Sequence, residues 1–165
     1  MFVVRGTKKL LDRVGKVDAA DERPSTNVLG DWYATAWFWR PQVALFVNEL
    51  TLLPVLLPMA PASTVVQRCV LGLPETFSDY GLDPRFVEAE VADMAQHRLA
   101  TIVSRSVLGV TNEFKYMADG YLHRADDVEL MELALWLAQT PCGPLYQSHV
   151  SPDRELRAVV ADHMP

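Results

Sequence analysis

Residues 32–57 hold three apolar runs separated by two short breaks. Trp32 to Trp39 (WYATAWFW) contains no turn residue, Arg40-Pro41-Gln42 interrupts it, and Val43 to Val47 continues. Asn48-Glu49 breaks the pattern again, and Thr51 to Leu57 resumes it. Aromatic and β-branched residues at this density, joined by short links, read as an antiparallel meander over 32–39, 43–49 and 52–57. Both faces of the first two strands are apolar, so the hairpin must be covered on both sides or sit centrally in its sheet. Pro54 and Pro58 cannot donate to a ladder, which assigns the third strand to an edge.

The flanking segments supply the cover. Phe2 to Arg5 reads as a short N-terminal strand. Thr7 opens a short helix with Leu10, Leu11 and Val14 on one face. Residues 16–29 are polar, lack periodicity and form the one stretch long enough to be a mobile loop. The second half is helical. Ser63 starts a run that Pro74 should end or kink, and Asp83-Pro84 starts a helix with Glu88, Glu90 and Asp93 outward. Ser104 or Ser106 caps a helix reaching about Leu122, Asp126-Asp127 starts another, and Ser151-Pro152 opens the last. The 127–139 helix is apolar nearly all round and is expected to be the most buried element. Residues 99–103 are the weakest strand candidate. The expectation is a single α+β domain over 1–165. Its small, mainly antiparallel sheet, an N-terminal strand plus a three-strand meander, is covered by about five helices, mostly C-terminal.

Charge narrows the partners. The chain carries a net −6, yet its first 16 residues carry +4, through Arg5, Lys8, Lys9, Arg13 and Lys16 against Asp12. The acidic balance argues against nucleic acid, because phosphate contact needs clustered Lys and Arg. The Lys9, Arg13, Lys16 flank reads either as a solvated helix face or as a docking patch for an acidic group. The most apolar stretch, Leu50 to Ala62, is 13 residues long with three prolines, whereas a membrane span needs about 20. Neither a spanning nor a targeting segment is expected. The cysteines Cys69 and Cys142 make neither a disulfide framework nor a zinc site, so a bacterial cytoplasm is the expected location.

Standard catalytic and cofactor motifs are absent. No glycine-rich phosphate loop, dinucleotide fingerprint or nucleophile elbow occurs. The four histidines are dispersed, and His123 with Asp126 and Asp127 reads as a solvated helix start. Cys142 reads as a buried turn cysteine. No catalytic residue, metal ligand or cofactor is assigned.

One polar constellation stands out. Arg105 and Ser106 precede Gly109, with Asn112 and Glu113 one to two turns on. Unpaired N–H groups of a helix start beside a guanidinium have the composition of an anion site. Arg105, Ser106 and Asn112, with Asn48 and Glu49 arriving from a strand end, form the candidate ligand site. The competing reading pairs Arg105 with an internal carboxylate such as Glu49.

The segments Thr7-Lys8-Lys9-Leu10-Leu11, Gly30-Asp31-Trp32-Tyr33-Ala34, Leu45-Phe46-Val47-Asn48-Glu49 with Thr51-Leu52-Leu53-Pro54, and Arg105-Ser106-Val107-Leu108-Gly109 with Asn112 and Phe114 resemble a bacterial family of unknown function. The resemblance spans nearly the whole chain and departs at Ser104 and Val110-Thr111. It implies a stand-alone cytoplasmic domain and adds Asp31 to the polar residues of interest.

Two functions are therefore expected to compete. One is a non-enzymatic binding or regulatory module for a small anionic ligand or a protein partner, including a homodimer through the aromatic strands. The other is a small hydrolase or transferase with Glu49 or Glu113 as general base and Arg105 as anion clamp. The second requires an apolar setting that raises the carboxyl's pKa.

Overall fold

The computed structural model describes residues 1–122 and 127–165. Five strands form one sheet: β1 (Phe2–Gly6), β2 (Trp32–Trp37), β3 (Val43–Asn48), β4 (Pro54–Pro58) and β5 (His97–Thr101), in the spatial order β4-β3-β2-β1-β5. The helices are α1 (Lys8–Val14), α2 (Val65–Asp79), α3 (Pro84–Asp93), α4 (Arg105–Leu122), α5 (Leu130–Ala138) and α6 (Pro152–His163). The fold is α+β, with the helices mostly C-terminal, as the pattern of runs requires.

The meander β2-β3-β4 is antiparallel, with Trp37 opposite Val43 and Phe46 opposite Val55. β1 pairs in parallel with both β2 and β5, so the sheet is mixed. The cause is local. Thr7 N donates to Ala34 O, α1 turns back along the sheet, and the 15–31 segment returns the chain to the end where β1 began. A parallel pair needs such a crossover. The weak 99–103 candidate is real but lies two residues earlier.

Alternate side chains of the sheet feed two cores. Trp32, Ala34, Phe46 and Val4 face one core with residues of α1, α2, α3 and α6. Tyr33, Trp37, Leu45 and Val47 face the other with residues of α4 and α5. All six residues of β2 and of β3 are buried, so these strands are the most buried elements. α5 is less enclosed than its composition suggests, because Trp136 is 37% exposed. Of the aromatics at the end of β2, Phe38 is exposed and Trp39 half-buried. A partner using these strands would meet Phe38 first.

Several local expectations are corrected. α2 runs through Pro74 to Asp79. The proline removes one helical hydrogen bond but does not end the helix, and Leu73 and Phe77 on either side are both fully buried in the same core. α4 is capped by Ser104, whose Oγ accepts from Val107 N at 3.2 Å, so Ser106 lies inside the first turn. α5 is capped by Glu129, which accepts from Glu132 N; His123 and Asp126 lie outside the described residues. Glu90 is 2% exposed, not outward. Its carboxylate accepts from Asn27 Nδ2 at 2.8 Å, Val28 N at 2.8 Å and Leu29 N at 3.0 Å.

That clamp divides the 16–29 loop. Residues 25–29 are tied down further by Thr26 N to Met1 O and Val3 N to Ser25 Oγ, and Arg23 O accepts from Arg98 Nε. Lys16, Asp18, Ala19 and Ala20 are exposed. Limited trypsin digestion should therefore cut first after Lys16, identified by mass spectrometry. First cleavage after Arg98 or Arg105 would contradict this assignment.

Candidate functional site

β1 and β5 are parallel neighbours, and the helices that follow them leave toward opposite faces. α1 enters the first core through Leu10, and α4 enters the second through Val107, Val110 and Phe114. Where the connections of adjacent parallel strands diverge in this way, a crevice opens at their carboxyl ends. Here a crevice of about 330 Å³ is lined by Gly6, Thr7, Lys8, Leu11, Asp12, Thr101 and Ile102. Gly6 is required for its shape, since a Cβ there would meet the Leu11 side chain at 2.8 Å.

Beside it, on the α4 face, lies a polar network. Arg5 Nε donates to Asp31 Oδ2 at 2.7 Å, and Arg5 Nη1 to Thr101 O at 3.2 Å. Ser25 Oγ donates to Asp31 Oδ1 at 2.6 Å. The backbone of Glu49 is fixed by its N–H donating to Asp31 O. Partial burial raises the Glu49 carboxyl above its ordinary range. The neighbouring Asp31 charge adds to the shift, while Arg5 and a hydrogen bond with Tyr33 oppose it. The Tyr33 hydroxyl is also pushed up, by burial first and then by Glu49, and it accepts from Ser104 N at 3.2 Å. A chain of contacts thus runs from Glu49 through Tyr33 to the residue that caps α4.

The five predicted residues fall into four places, and Glu49 lies in the network of Arg5, Asp31 and Tyr33 just described. Arg105 and Ser106 are exposed in the first turn of α4. Among the described residues the Arg105 side chain makes no ion pair or hydrogen bond, so the pairing with Glu49 is not formed and Arg5 stands by that carboxyl instead. Asn48 is buried at the end of β3, away from the crevice, and is fully engaged. Its Nδ2 donates to Leu29 O at 2.8 Å and Asp31 O at 3.4 Å, while its Oδ1 accepts from Leu50 N, Thr51 N and Thr51 Oγ1. Asn112 is exposed two turns along α4, about 10 Å from Arg105 by helical rise.

Arg5, Ser25 and Tyr33 were not singled out by the sequence reading. An arginine within the otherwise apolar Phe2-Val3-Val4-Arg5 strand was the available signal, since buried cations require partners. Among the described residues no three His, Cys, Asp or Glu side chains cluster in a metal-binding arrangement. The thiols are poor nucleophiles: burial pushes Cys69 to about 12, and burial with the nearby Glu113 charge pushes Cys142 to about 11.

No curated protein and no solved structure matches the chain. Residues 3–155 match the family described as a domain of unknown function, DUF6933, and the chain belongs to that family.

Proposed function

We propose that this domain is a non-enzymatic binding module that holds a small anionic ligand at the carboxyl ends of β1 and β5. The observation that carries the reading is the free Arg105 guanidinium in the first turn of α4, beside a crevice at a topological switch point. Helix N–H groups favour negative charge there, and Arg105 adds a planar fork for carboxylate or phosphate. Asn48 is spent on hydrogen bonds within the fold and takes no part in binding, and Asn112 lies outside the site.

The location we propose is a bacterial cytoplasm. Cys69 and Cys142 are unpaired and lie in opposite cores, which suits a reducing compartment. Among the described residues no helix is long and apolar enough to cross a membrane.

A second reading is favoured by the setting of Glu49, whose carboxyl stands beside Asp31 and Tyr33 and is raised above its ordinary range by partial burial and the Asp31 charge. A general base of this kind would act on a ligand held by Arg105, making the domain a small hydrolase or transferase. A thermal-shift screen with anionic metabolites and nucleotides separates the readings. Under the module reading, Arg105→Ala abolishes the ligand-dependent shift and Glu49→Gln retains it without any turnover to lose. Unliganded Arg105→Ala should melt within about 0.5 kcal/mol of the parent, as exposed substitutions do. A binding-competent parent that chemically converts its ligand, with conversion lost in Glu49→Gln, would establish the enzyme instead.

A further inference from the structure

The two edges of the sheet are finished differently. On β4, Asn48 N donates to Leu53 O and Met59 N to Gln42 O. That ladder phase turns the backbone nitrogens of Pro54, Leu56 and Pro58 outward. Two of the three have no N–H to offer, which blunts the edge. On β5, Phe2 N donates to Gln96 O and Phe2 sits opposite His97. Arg98 and Ala100 therefore face β1, and His97, Leu99 and Thr101 present their backbone groups to the outside. Arg5 takes Thr101 O. Among the described residues no bond to the outward groups of His97 and Leu99 is present.

What lies across this edge is the exposed start of the 16–29 loop. A Cβ on Gly15 would lie 3.2 Å from Leu99 Cδ1, which places residue 15 on the α1 face. On the α4 face Arg98 donates to Arg23 O at 2.8 Å and lies 3.9 Å from Asp21 Oδ1. The chain changes faces between those points, and the edge between them is β5. The short route between the two faces carries residues 16–20 over this edge as a strap, held at its far end by the Arg98 contacts to Asp21 and Arg23, and among the described residues it has no backbone bond to the strand.

We propose that β5 is a self-pairing edge held shut by the 16–20 strap, and that displacing the strap joins two copies of the chain through antiparallel β5 strands. The occupant follows from the register. The outward residues are symmetric about Leu99, so a second β5 related by a two-fold axis sets His97 of one copy against Thr101 of the other. It sets Leu99 against Leu99, and Arg98 against Ala100. No like charges oppose one another, and isologous contacts of this kind close as a dimer.

The test is the molar mass by light scattering over a concentration series of the full chain. The parent should stay at 18.5 kDa. Arg98→Ala, which unfastens the strap, should move toward about twice that mass as concentration rises. A chain with Gly-Ser-Gly-Ser inserted between Ala19 and Ala20 slackens the strap without touching β5 and should do the same. It also decides the matter if Arg98→Ala fails to fold. Adding Thr101→Pro, which costs the monomer no hydrogen bond, should restore the monomer in either background. A parent that is already dimeric, a slack-strap chain that stays monomeric, or a dimer indifferent to Thr101→Pro would each overturn the proposal.

Discussion

Replacing Glu90 with alanine is expected to lower the unfolding free energy by about 3–5 kcal/mol, measured by denaturant titration. The carboxylate is buried and accepts from Asn27 Nδ2 and from the amides of Val28 and Leu29. Its removal strands two buried donors, Asn27 Nδ2 and Leu29 N, and frees the part-buried Val28 N, and each buried unsatisfied donor costs about 1–3 kcal/mol. The loss should appear as a shifted midpoint with an unchanged slope, because the sheet itself is untouched. Glu90→Gln should recover part of the loss, since its carbonyl still accepts while its amide meets at least one donor. A loss below about 0.5 kcal/mol in the alanine variant, the range of ordinary surface changes, would mean that the 27–29 segment is not held by α3.

Asn48→Ala should cost about 2–4 kcal/mol by the same measurement. One amide joins the residue 29–31 entry to β2 with the turn from β3 to β4, through five hydrogen bonds. That turn also contains Leu52 at φ 59°, a conformation that side-chain-bearing residues rarely hold without outside support. Asn48→Asp is the sharper probe. It keeps the acceptor for Thr51 but sets a carboxylate oxygen against the carbonyls of Leu29 and Asp31. Its destabilisation should at least match that of alanine, and an aspartate variant as stable as the parent would contradict the assigned orientation.

Those two residues also show what a single sequence can reveal. The meander was legible because its signals are local. Unbroken apolar runs defined the strands, short polar links defined the turns, and Pro54 and Pro58 marked the edge. Asp83-Pro84 and Ser151-Pro152 announced two helix starts by chemistry that acts within a few residues. Glu90 was expected outward on its charge alone, because its partners lie more than 60 residues away, although spacings of three and four set it on the face of the buried Val87 and Phe86. The parallel setting of β1 between β2 and β5 was invisible for the same reason: register between distant strands leaves no local trace.

At the candidate site, Arg105 and Ser106 were found through the composition of a helix start, which is local. Arg5 was hidden, since its ties to Asp31 and Thr101 depend on the register of three strands. Asn48 was noticed as polar and given a ligand, whereas its hydrogen-bonding capacity is spent within the fold. Asn112 shares a helix face with Arg105, and helical rise separates them.

The central claim, that an anion is held where α4 begins, is tested most directly by backbone amide NMR during titration with inorganic pyrophosphate. Saturable shifts are predicted at Arg105 and Ser106 and along Thr101 and Ile102, and they should vanish in Arg105→Ala while the rest of the spectrum is preserved. Amides that do not move, or movement confined to the Lys9 and Arg13 flank of α1, would contradict it.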